Sequence, residues 1–140
     1  MTINLAEINW LAVVVAAFAT FMLGGVWYTA LFGKAWQKAH HLTEEQLKSQ
    51  QTARPMPVFL AMQFVCYIVI AVGMALIVNG AGIATAGDGA TLGVFVWLIV
   101  AAVVLTNHLP TPTAWSGYFI DVSYSAIYCV GTGALLGGWQ

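Results

Sequence analysis

One carboxylate, Asp121, stands inside an otherwise uncharged apolar run, and few other side chains in this sequence could do chemistry. An ionisable residue at membrane depth is by default a candidate functional site with a partner to be named. The partners in reach of the same membrane level are His108 first, then Gln63 and Tyr28. Asn107 beside His108, and Ser125 one turn after Asp121, complete the candidate intramembrane polar site. At 1.5 Å rise per residue, Asp121 lies about 9 Å inside a helix that starts at Trp115, Gln63 about 10 Å inside one that starts at Met56, and Tyr28 about 7 Å in from Gly33. Two chemistries compete for such a layer. Polar groups between membrane helices act as hydrogen-bonding glue worth roughly 0.6 kcal/mol per contact. They also serve as ligand, ion or proton sites. Glue is the simpler reading, and a contact with a partner protein is a third.

Other constellations carry less. Ser116, His108 and Asp121 hold the atoms of a nucleophilic triad, but no strand-turn-helix nucleophile elbow accompanies them. His40 and His41 precede Glu44 and Glu45 at i+4 spacing. Thr43 starts a fresh helix between them, so four metal ligands do not converge, and no metal is expected. His108 is the only deep histidine, which disfavours a membrane haem; no cofactor is expected. Cys66 and Cys129 read as small apolar fillers. The expectation is therefore not an enzyme.

The elements that position these residues follow from four stretches almost free of charge: Ile8 to Gly33, Pro55 to Gly87, Gly89 to Ile120, and Val122 to Gln140. A bilayer core needs about 20 mostly apolar residues in a helix. The chain is 61% hydrophobic and 6% charged, whereas soluble domains carry roughly 25% charged residues. Its mean hydropathy is +0.85. The reading is an all-α integral membrane bundle in a single domain, with spans at about 8–32, 56–78, 89–109 and 114–139. The lipid bilayer is its first partner. A net charge of −1 gives no basic surface for nucleic acid. The first span, preceded by Glu7 and no basic residue, reads as a retained helix and not a secretory signal.

All four basic residues, Lys34, Lys38, Lys48 and Arg54, fall between the first two spans. The positive-inside rule places that loop in the cytoplasm, with both termini outside. Thr43-Glu44-Glu45-Gln46 is a capping box and predicts a short surface helix from Glu44 to about Gln51. Trp10, Trp27, Tyr28 and Trp36 read as interfacial anchors. Pro55 and Pro57 suit the first turn of the second span, and Asp88 is expected to cap the third.

Small residues mark the packing faces. Ala12, Ala16, Thr20 and Gly24 recur every four residues on the first span and so share one face. On the fourth span Asp121, Ser125, Cys129, Gly133 and Gly137 do the same. Small faces let membrane helices approach closely. One such face closes the bundle, and another is expected to serve contacts with a second copy or with other membrane subunits. The functional expectation is a non-enzymatic membrane protein that self-associates or joins a larger assembly. The alternative is a small oligomeric transporter or channel that couples through Asp121.

Ordered short motifs add a resemblance. Asn9-Trp10 opens the first span; Gly24-Gly25-Val26-Trp27-Tyr28 and Phe32-Gly33-Lys34-Ala35-Trp36 follow. Leu42-Thr43-Glu44-Glu45 comes next, and Phe119-Ile120-Asp121-Val122-Ser123-Tyr124 stands late in the chain. In order and spacing these resemble the bacterial membrane family called domain of unknown function 1761, over essentially the whole chain. The resemblance implies a four-span protein of the bacterial inner membrane with no assigned activity, so no catalytic residue is carried over. Relatives in that family often carry basic residues between spans three and four, where this chain has Leu109-Pro110-Thr111-Pro112-Thr113.

Overall fold

The computed structural model describes residues 4–140, and every regular element among them is helical. After a short 3-10 turn at Leu5–Glu7 come α1 (Trp10–Val26), a π-helical turn (Trp27–Leu31), α2 (Gly33–Ala39), α3 (Glu44–Ala53), α4 (Met56–Gly80), α5 (Ala86–His108) and α6 (Trp115–Gly138). Four helical segments are long and apolar enough to cross a membrane: Trp10–Leu31, Met56–Gly80, Ala86–His108 and Trp115–Gly138. At 1.5 Å per residue each reaches 33 Å or more, about the hydrocarbon thickness.

Local chemistry sets the helix ends. The Asn9 side chain accepts from the Ala12 amide and starts α1. Thr43 and Gln46 form a reciprocal capping box, and α3 starts after it. The third span begins earlier than Asp88. Thr85 is its cap, accepting from the Asp88 amide and donating to the Asp88 carboxylate at 2.7 Å. The reason is that a threonine hydroxyl three residues upstream satisfies an amide that Asp88, already inside the helix, cannot. Gly82, at φ +65°, turns the chain between α4 and α5 in a conformation that side chains disfavour.

Small residues decide the packing. Ala12, Ala16, Thr20 and Gly24 on α1 are all buried, together with Val13 and Ala17. They meet Ala71, Met74, Ala75 and Val78 of α4, and Tyr124 and Leu136 of α6. The second seam joins α5 to α6. A Cβ added at Gly93 would stand 2.6 Å from the Val130 Cα, and Gly89, Gly133 and Gly137 abut one another backbone to backbone. The glycine faces of α5 and α6 are thus spent on each other. The architecture is a core of α1, α4 and α6 with α5 flanking it along α6. Both small-residue faces close contacts inside the chain, which corrects the expectation that one stays free for a partner. Cys129 is buried at the α5 seam and Cys66 is exposed; both are free thiols.

Candidate functional site

Asp121 lies in the second turn of α6, half-buried. Two donors from the other side of the chain meet its Oδ1. The Tyr28 hydroxyl donates at 2.7 Å and the Trp36 indole N–H at 2.9 Å. Donors to a charged acceptor make shorter and stronger bonds than neutral pairs, so this oxygen ties α1 and α2 to α6.

The backbone between α1 and α2 aims both donors. The π-helical turn Trp27–Leu31 widens the end of the first span, and the Phe32 amide closes it on the Trp27 carbonyl at 2.8 Å. Single π turns occur frequently at functional sites. Gly33 follows so closely on the Tyr28 carbonyl that a Cβ there would stand 2.7 Å from it. Only glycine lets α2 fold back against α6. Once back, α2 is pinned. The Ala114 amide donates to the Ala39 carbonyl at 2.9 Å. His41 Nε2 sits 3.1 Å from the Pro112 carbonyl. Gly117 leaves room for Ala39 and the His40 ring.

Deeper in, a second polar layer continues the first. The Tyr124 hydroxyl donates to the Thr20 carbonyl at 2.9 Å and shares a 2.8 Å hydrogen bond with the Tyr67 hydroxyl. Gly24 makes space for it: a Cβ there would meet the Tyr124 oxygen at 2.7 Å. Tyr28 stands edge-on to Tyr124 at 5.3 Å and to Trp36 at 6.0 Å, and Tyr67 edge-on to Tyr128 at 6.2 Å. Trp27 and Trp97 donate to the Ile120 and Val122 carbonyls on either side of Asp121. All four membrane helices therefore place an aromatic ring at this level.

The residues singled out from the sequence divide. Tyr28 meets Asp121 directly. His108 does not: its ring packs on Trp115 at 5.1 Å and Tyr118 at 5.6 Å. Asp121 lies three residues beyond Tyr118, about 4.5 Å further along α6, and its hydrogen bonds go to Tyr28 and Trp36 instead. Asn107 is exposed. Ser125 is buried but spends its hydroxyl on the Val122 carbonyl of its own helix. Gln63 is half-buried on α4, and among the described residues it has no hydrogen-bond partner. Trp36, read from the sequence as an interfacial anchor, is the donor that the pattern did not reveal. Its clue was the Phe32-Gly33 break, which turns the chain back.

A family model described as "Protein of unknown function (DUF1761)" matches residues 11–137. The chain belongs to this family. The match covers α1 through nearly all of α6, and so includes Tyr28, Trp36 and Asp121. Neither a curated protein nor a solved structure shows significant similarity to the chain.

Proposed function

We propose that this protein is a non-enzymatic integral membrane protein that acts through assembly, with a second copy of itself or as a subunit among other membrane proteins. The observation that carries this is α3. Every one of its ten residues except Leu47 is exposed, and its sequence EEQLKSQQTA is almost wholly polar. Isolated helices shorter than about 12–15 residues are marginal in water. The capping box offsets part of that deficit and a partner would supply the rest. In this reading the bundle is an anchor, Asp121 Oδ1 locks α1 and α2 to α6, and α3 is the part held out for contact. The localisation that fits is the bacterial inner membrane, with the basic loop and α3 in the cytoplasm.

A photo-crosslinking side chain in place of Ser49, on the exposed surface of α3, tests this in native membranes. The reading expects a discrete cross-linked product, either a dimer of this chain or one recurrent membrane partner. The same probe at Ile99, on the lipid-facing side of α5, should give only background. Equal and diffuse labelling at both positions would refute the assembly reading.

A further inference from the structure

We propose that the second oxygen of Asp121, together with Gln63 and the surrounding tyrosines, forms an intramembrane site for an organic cation carrying apolar substituents, entered from the lipid side near the basic-loop end. This goes beyond the assembly reading and does not depend on it.

No Lys or Arg lies in any of the four spans, and all four basic side chains are exposed outside them. Tyr28 and Trp36 both bond Oδ1. Both are neutral donors, so they orient the carboxylate without cancelling its charge. Among the described residues, Oδ2 has no hydrogen-bond partner. A carboxylate at this depth must be hydrated, protonated or paired.

Packing then says which side is open. The buried stripe of α4 is Tyr67, Ala71, Met74, Ala75 and Val78. Gln63 continues this stripe one turn toward the basic-loop end, but it is only half-buried, and residues 56–62 are all exposed. α4 thus diverges from α1 and α6 below Tyr67, with Phe64 still touching Phe21 edge-on at 5.6 Å. Asp121 sits two turns before Tyr128 on nearly the same face of α6, and Tyr128 packs on Tyr67 of α4. Asp121 therefore lies on the side from which α4 has moved away. A ligand there meets one carboxylate oxygen, a free amide, tyrosine rings and exposed apolar side chains on the Gln63 face of α4 such as Phe59 and Leu60.

This donor set selects the ligand class. A divalent or alkali ion needs several oxygen ligands, and one carboxylate does not supply them. A cation with apolar arms matches a single charge set among aromatic faces, where cation–π attraction adds to the ion pair. The cation could be a lipid ammonium headgroup or a free hydrophobic cation, which share this chemistry.

The test uses tetraphenylphosphonium and tetraphenylborate, which have the same shape and opposite charge, on the whole protein in dodecyl maltoside. The site expects saturable phosphonium binding, no competition by the borate, and a loss of about tenfold or more in affinity for Asp121→Asn, which removes one close charge contact. A second measurement needs no variant: dicyclohexylcarbodiimide labelling of wild-type Asp121, read by mass spectrometry, should be slowed by the phosphonium and not by the borate. Added phosphatidylethanolamine that competes identifies a headgroup as the ligand; if it does not compete, a free cation is the ligand. Equal binding of both probes, wild-type affinity in Asp121→Asn, or unprotected labelling would each overturn the proposal. The cross-linking result at α3 would stand either way.

Discussion

Replacing Asp121 with leucine removes an acceptor that serves two donors from different elements. The Tyr28 hydroxyl and the Trp36 indole N–H both end on Oδ1, at 2.7 and 2.9 Å. A hydrogen bond within a membrane protein averages about 0.6 kcal/mol, with about 1.7 at the upper end. Bonds to a charged group run at about 1.5–3 kcal/mol in general, but Asp121 is half-exposed, so about 1 kcal/mol each is the reasonable scale. Asp121→Leu should therefore cost about 2 kcal/mol. Asp121→Asn keeps a carbonyl oxygen at the same place and should cost under about 1 kcal/mol. Tyr28→Phe alone should cost about 1 kcal/mol, and nearly nothing when added to Asp121→Leu, because its partner is already gone. The assay is unfolding in mixed dodecyl maltoside and dodecyl sulfate micelles, followed by far-ultraviolet circular dichroism. If Tyr28→Phe costs the same with and without the carboxylate, the bond does not couple α1 to α6 and the reasoning fails.

The α5–α6 seam makes a graded prediction. Gly93→Ala drives a Cβ to 2.6 Å from the Val130 backbone, which cannot yield locally, whereas nothing lies within 4 Å of a Cβ at Gly131. Gly93→Ala should cost about 1–3 kcal/mol through overpacking and Gly131→Ala almost nothing in the same titration; a reversed order would refute the seam. Gly24→Leu and Gly133→Leu should both lower the melting temperature in detergent, and wild-type melting for either would contradict its place between helices. For orientation, alkaline phosphatase fused after Gln140 should be active and fused after Lys48 inactive. The opposite activities would reverse the assigned sides of the membrane.

Composition and pattern alone determined the class of this protein. Charge-free stretches of membrane length leave a chain little choice but to form helices, because every backbone group must find its partner within the segment. The capping box before Glu44, the small-residue row from Ala12 to Gly24, and the glycines of α6 were also legible, since each depends on residues close together in sequence. Partnerships across the chain were not. His108 looked like the neighbour of Asp121 because only a short proline loop separates their helices. Yet the His108 ring packs on Trp115 and Tyr118, nearer the start of α6, while Asp121 is taken by Tyr28 and Trp36. Trp36 became a ligand of the carboxylate only because the π turn and Gly33 fold α2 back onto α6. The use of both small-residue faces inside the chain, and the divergence of α4 below Tyr67, also belong to the tertiary structure. Periodicity tells which residues share a face. Which face meets which is decided by the relative rotation and tilt of whole helices, and those depend on the sum of many weak contacts that no local pattern records.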